Sequence, residues 1–329
     1  MSTALLVGLG EVGARAARQL VETEGIDALL VADRDRKSAD RLVSSLGSRA
    51  EVIRYSPGAP LPSGVDVVAC ALPAGVDLEV LRQAVAGGVP CATADDSSDA
   101  IEAALALEAD AVRAGVTVAV GCGLAPGLAD VLARHAAAAF DAVDEIDVAR
   151  SGWSGPAGIT TVRHERHGPA REWVDGEWRT VRQRGEQLVW FPEPIADRDC
   201  VSVSAGSALL VKAFPGVARV SIHLGEPESR RPFRRRFGDD GEWGAARVEV
   251  WGRRRDERDV LVYGVVERTA VAAGAVLALT AGLLVGCGGS KITRHGVHGL
   301  GELVDPVPFL AELARRGVRA AAFEGAPVA

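Results

Sequence analysis

Six residues near the start of the chain, Gly8 to Gly13 in the order GLGEVG, have the types and spacing to bind an anion through the backbone. Gly8 permits a tight turn, Gly10 lets the backbone approach a phosphate with no Cβ in the way, and Gly13 lets a helix pack close to a strand. The apolar run Ala4 to Val7 precedes them, and EVGARAARQLVE continues the chain with small and apolar residues at helical spacing. The glycines therefore sit at an expected strand-to-helix turn, with Leu9, Glu11 and Val12 between them. A helix N-terminus offers unpaired N–H groups and a partial positive charge, which suits a pyrophosphate. A second apolar run, ALLVA, leads into Asp33, 20 residues beyond Gly13, where a carboxylate accepts hydrogen bonds from ribose hydroxyls. The set predicts a bound dinucleotide. Asp33 favours NAD over NADP because it would repel a 2′-phosphate, while the adjacent Arg34 would pair with such a phosphate if Asp33 turned away.

Hydride chemistry also needs a proton acceptor near the nicotinamide. The candidates are Asp95, Asp96, His164, Glu165 and Lys212; the chain holds only three lysines, Lys37, Lys212 and Lys291. DDSSD precedes a helical pattern, so one of its residues is expected to cap that helix. RHERH, Arg163 to His167, is the densest polar group of the second half. Read as a strand, it puts Arg163, Glu165 and His167 on one face, where they would clamp a carboxylate or simply meet solvent. The pairs His164/His167 and His295/His298 have no third ligand nearby in sequence, and no metal is expected. The arginine clusters RRPFRRRF and RRRDER read as exposed hairpin loops.

The elements that position these residues follow from periodicity. Strands are expected at Ala50–Tyr55, Val65–Leu72, Pro90–Ala94 and Val116–Val120, and helices at Lys37–Leu46, Asp77–Ala86 and about Ser97–Ala114. Such alternation implies a doubly wound, mostly parallel sheet whose ligand lies outside the carboxyl ends of its strands. From Glu145 onward, strand-like pieces including EIDVARSGW, GITTVRHER, ARVSIHL and VLVYGVVE are separated by polar turns. They predict a mostly antiparallel sheet with no long helix between its strands. All six tryptophans fall in this part. Asp305–Arg316 reads as a closing helix, and Val318–Phe323 as a short strand or tail.

The 329 residues give room for two domains, and 48% hydrophobic with 25% charged residues is ordinary for a soluble protein. A net charge of −7 argues against general nucleic-acid binding. The apolar run Ala270–Cys287 is rich in Ala and Gly and is expected as a buried helix, not a membrane span. No signal peptide is expected, and five cysteines without CxxC spacing suit a reducing cytoplasm.

Several stretches, GLGEVG with Asp33, CALPAG, CATADDS, and above all GCGLAPGLADVLA at 121–133, resemble the saccharopine dehydrogenase-like family, which includes the lysine 6-dehydrogenases. WFPEP, FPGV and GVHGLGELVDPVPFLAELARRGV extend the resemblance over nearly the whole chain. It implies a Rossmann domain at 1–125 completed by about 300–329, and an α+β domain with a mixed sheet at 126–299 that binds substrate and mediates a homodimer. It also implies hydride transfer between NAD(P) and a carbon bearing nitrogen, in an amino acid or an amine-derived imine. Ala71, Leu72 and Pro73 would border the cofactor, Thr93, Ala94 and Asp95 the nicotinamide, and Gly123, Leu124 and Pro126 the substrate; the resemblance carries over no substrate residue of the second domain, where Trp153 and Arg163 are expected to contribute by their own chemistry. Ala125 stands where saccharopine-forming reductases often carry Asp, which counts against saccharopine as substrate. The competing readings are a reductase of a non-nitrogen carbonyl and an NAD(H)-binding sensor without turnover.

Overall fold

In the computed structural model, residues 2–181, 187–226 and 242–323 are described. The cluster RRPFRRRF and part of EQLVWF lie outside them. The chain begins with β1 (Ser2–Val7), α1 (Glu11–Glu22), β2 (Ile26–Ala32), α2 (Arg36–Leu46), β3 (Ala50–Val52), β4 (Val67–Cys70) and α3 (Leu78–Ala86). Then come β5 (Cys91–Thr93), α4 (Ser98–Leu105), α5 (Glu108–Ala114), β6 (Thr117–Ala119) and α6 (Leu128–Ala137). The middle holds β7 (Ala142–Ser151), α7 (Gly155–His167), β8 (Arg171–Val174), β9 (Glu177–Thr180), β10 (Gln187–Trp190) and β11 (Asp197–Val203). It continues through α8 (Ser207–Ala213), β12 (Arg219–Gly225), β13 (Trp243–Arg254) and β14 (Glu257–Arg268). The last elements are α9 (Thr269–Leu284), β15 (Gly296–His298), α10 (Leu300–Leu303), α11 (Pro306–Arg315) and β16 (Ala320–Phe323).

Two compact units emerge, residues 1–123 with 272–304, and residues 124–271 with 305–329. In the first, seven parallel strands run β15-β6-β5-β4-β1-β2-β3. This is the doubly wound order, and it reverses between β1 and β4, the crevice where such sheets bind ligands. Its core strands are apolar and buried on both faces, β4 being VVAC with every residue buried. The apolar run near 270–287 is a buried helix, α9, which meets α1 so closely at Gly274 that a Cβ there would strike Arg15 and Ala16. Among the described residues no helix is long and apolar enough to cross a membrane.

In the second unit nine strands form a mixed sheet, β10-β11-β12-β7-β13-β14-β16 with β8 and β9 attached, in which only β12 and β7 run parallel. RRRDER spans the β13–β14 hairpin turn, where Arg255 and Asp256 take left-handed φ of 53° and 68°.

Three sequence expectations change. The first unit is completed by residues 272–304, which bring α9, α10 and the edge strand β15 that pairs with β6, and not by about 300–329; α11 and β16 belong to the second unit, where β16 pairs with β14. The helix expected at 97–114 is two, because the chain tightens at Leu107, whose N–H bonds to Ala104 O instead of continuing the ladder. GITTVRHER is helical, lying within α7. Its β-branched residues suggest a strand, but Pro156 opens a helix there and the hydroxyls of Thr160 and Thr161 bond back to carbonyls four residues earlier.

Candidate functional site

The glycine turn follows β1 on the first unit. Gly8 has φ +93°, and its N–H bonds to Ala32 O on β2 at 2.9 Å, which ties the turn to the neighbouring strand. A Cβ at Gly8 would run into the carbonyl of Ala71, and one at Gly13 into the carbonyl of Gly8. Both positions require glycine for the protein's own packing. Gly10 is different: it is exposed, has an ordinary φ of −61°, caps α1 with no side-chain hydrogen bond, and a Cβ there would meet nothing within 4 Å. Protein packing does not demand a glycine at this place. A pyrophosphate lying on the N–H groups of α1 does, since a side chain would fill the space it needs. The residues present fit a dinucleotide.

Asp33, at the end of β2, accepts hydrogen bonds from Leu9 N at 2.6 Å through one carboxylate oxygen and from Asp35 N at 2.7 Å through the other. It is thereby held beside the glycine turn, half-buried, while Arg34 is exposed. After β4, Ala71 and Leu72 are half-buried against Gly8, and Pro73 is exposed. At the end of β5, Thr93 is buried and its hydroxyl donates to Asp77. Asp95 is buried at 7% exposure, with one oxygen accepting Gly75 N at 2.6 Å and the other Ser97 N at 3.0 Å. Burial, offset by these backbone N–H groups, leaves the Asp95 carboxyl above its usual range; burial and the Asp95 charge push Asp77 up as well. Ser97 is the cap of α4, its hydroxyl accepting Ala100 N. Asp96 is half-buried.

On the second unit, Leu124 and Pro126 are buried. Pro126 follows a cis peptide bond and packs against Gly206, and Arg150 Nη1 donates to Ala125 O at 2.8 Å. Asp130, in the first turn of α6, is 3% exposed; burial pushes its carboxyl up to about 7, against the Gly127 N–H it accepts at 3.3 Å. Pro126, Asp130, Arg150 and Gly206 line a small cavity. The helical α7 rearranges RHERH. Glu165 is buried with Thr161 and Val162, whereas Arg163, His164 and His167 are exposed, so Arg163, Glu165 and His167 do not share a face. Trp153 and Lys212 are half-buried. In the first unit His298 is buried, its ring nitrogens 3.1 Å from Glu302 Oε2 and 3.0 Å from His295 O. Among the described residues no three His, Cys, Asp or Glu side chains converge as a metal site.

Asp77, Asp130, Arg150 and the trio Asp147, Ser221 and His223 are not among the site residues expected from the sequence, where Asp77 reads only as a helix start and Asp130 only as part of GCGLAPGLADVLA. In the trio, Ser221 Oγ donates to Asp147 Oδ2 at 2.6 Å and His223 Nε2 lies 2.8 Å from the same oxygen. Burial opposes charge on the His223 ring, but the hydrogen bond to Asp147 and its charge outweigh burial and raise the imidazole above its usual range. Register alone brings these residues together, through the parallel pairing of β12 with β7.

Residues 4–119 match the family of saccharopine dehydrogenase NADP binding domains. The fold is similar to that of apo saccharopine dehydrogenase (L-Glu forming) from Saccharomyces cerevisiae, at TM-score 0.69 and 14% identity over 98% of this chain and 100% of that one. It is also similar to an amine dehydrogenase from Mycobacterium smegmatis, at TM-score 0.56 and 13% identity over 92% and 96% of the two chains. A third likeness is GenD2 from gentamicin A biosynthesis in complex with NAD, at TM-score 0.52 and 16% identity over 98% and 97%. The family match covers residues 4–119 and agrees there with the resemblance read from the motifs, and the structural likenesses show that the fold is one found in dehydrogenases.

Proposed function

We propose that this chain, whose residues 4–119 carry a saccharopine dehydrogenase-type NADP binding domain, uses NAD to oxidise or reduce a carbon–nitrogen bond in an amino acid or an amine-derived imine. The observation that carries the reading is the glycine turn, where a Cβ on Gly10, unlike one on Gly8 or Gly13, would meet no protein atom within 4 Å, which leaves space for a pyrophosphate. The nicotinamide, when bound, supplies or accepts the hydride. Gly8, Leu9, Gly10, Glu11, Val12 and Gly13 hold the phosphates, Asp33 binds the ribose, and Ala71 to Pro73 with Thr93 and Ala94 border the ring. The preference for NAD rests on Asp33, whose two oxygens are fixed by Leu9 N and Asp35 N, so that it cannot readily swing away to let Arg34 take a 2′-phosphate.

The carbon–nitrogen substrate is supported by the resemblance of GLAPGL and by the likeness to proteins named saccharopine dehydrogenase and amine dehydrogenase. Gly123, Leu124 and Pro126, with Trp153 and Arg163, are assigned to the substrate. The proton acceptor is sought among Asp96, His164 and Lys212, because the oxygens of Asp95 are held by backbone N–H groups and Glu165 is buried within α7's packing. A homodimer is supported by Leu188 and Trp190, 65% and 46% exposed on β10. A cytoplasmic location is supported by five buried free cysteines.

The test follows NADH and NADPH absorbance with mixtures of amino acids or amines and carbonyl compounds. We expect NADH to be oxidised in an imine-dependent way and faster than NADPH. Tight NADH binding without turnover across amino acids, imines and ketones would refute the enzyme reading in favour of a sensor; turnover of ketones alone would move the activity off nitrogen.

A further inference from the structure

We propose that Asp77 and Asp95 are a positioning pair for the cofactor, sharing one proton so that two buried carboxyls clamp the 71–77 loop onto the residues after β5 and hold Ala71 and Leu72 against the glycine turn. The inference rests on the dinucleotide reading above. Asp77, just before α3, is 2% exposed, and Asp95, just after β5, is 7% exposed. The Thr93 hydroxyl links them, donating to the Asp77 carboxyl and accepting Asp95 N at 3.1 Å, so that the two buried carboxyls face one proton. Which carboxyl holds it follows from the surrounding donors. Asp95 accepts Gly75 N and Ser97 N, so it keeps its charge, and Asp77 carries the proton.

The clamp reaches the cofactor turn through few atoms. Gly75, which Asp95 holds, lies in the same loop as Ala71 and Leu72, and Leu72 Cδ2 stands 3.1 Å from the place of a Cβ on Gly8. The β1–β4 crevice is therefore walled by a loop whose far end is pinned by a proton. Ionising Asp77 would put two carboxylates side by side in a buried place and loosen that wall. The other titratable groups acting on the pair are the thiols of Cys70 on β4 and Cys91 on β5, both buried and kept neutral, and Asp96.

NADH affinity, read by fluorescence from about pH 6 to about pH 9 in the wild type, Asp77→Asn and Asp77→Ala, tests the pair. Asn keeps a neutral donor beside Asp95 and the acceptor for Thr93 without a titrating proton. The wild type is expected to lose affinity several-fold as pH rises past neutrality, Asp77→Asn to keep the low-pH affinity throughout, and Asp77→Ala to bind about tenfold more weakly even at low pH. A wild-type affinity that does not change, a pH slope that persists in Asp77→Asn, or full affinity in Asp77→Ala would overturn the proposal. If the wild type binds neither NADH nor NADPH at any pH, the dinucleotide reading fails instead. Thermal melts, which need no cofactor, then decide on the pair alone: the wild type should lose more Tm than Asp77→Asn between about pH 5 and about pH 8, and equal losses would refute it.

Discussion

The two units expose their chemistry to a sequence reader in different ways. In the first, the groups proposed to meet the cofactor are backbone N–H groups at a turn, and the requirement for glycine at Gly8 and Gly13 comes from carbonyl oxygens that leave no room for a Cβ. In the second, the polar groups are side chains brought together across strands, as Asp147 meets Ser221 through β7–β12 register. A site built from backbone dictates residue types at fixed spacing. A site built from side chains on a sheet leaves no spacing to find.

That comparison can be broken at three places. The largest expected effect on the fold is from Gly13→Ala, whose methyl would enter the Gly8 carbonyl; a loss of about 3 kcal/mol, on the order of 10 °C in Tm, is expected in a thermal melt. An unchanged Tm would mean that the turn is looser than the packing implies.

A smaller, pH-dependent effect is expected from Asp130→Asn in the second unit. Folded Asp130 keeps its proton up to about 7, whereas the unfolded chain releases it near the ordinary carboxyl value of 3.8. The folded state thus binds more protons across that window, and wild-type stability falls as pH rises through it. Asparagine, always neutral, escapes the fall. Denaturant melts should show Asp130→Asn gaining on the wild type between about pH 4 and about pH 7, by on the order of 3 kcal/mol, with no further gain above. A difference constant with pH would remove the buried acid from the account.

The sequence shows most where local physics decides alone. GLGEVG, the apolar strands and the Asp305–Pro306 start of α11, where Asp305 accepts Val307 N, are legible because glycine freedom, burial and capping act within a few residues. The α7 helix is not, because Ile159, Thr160, Thr161 and Val162 favour strands locally and Thr161, Val162 and Glu165 find their burial only in the folded unit. The break between α4 and α5 is hidden by uniformly good helix formers. β15 is three residues long, too short for periodicity, and joins the sheet far along the chain from its β6 partner, Gly296 against Thr117. The Asp77–Asp95 pair joins two loops 18 residues apart, so Asp77 reads from sequence only as the start of a helix.

Gly10 separates function from fold most cleanly, since nothing in the protein touches the place of its Cβ. NADH titration of Gly10→Val beside the wild type, with a thermal melt of each, is the direct measurement. The account predicts an unchanged Tm and an affinity lowered by about 100-fold, because the valine would occupy the pyrophosphate's place on the α1 N-terminus. A folded Gly10→Val that binds NADH as tightly as the wild type would contradict it.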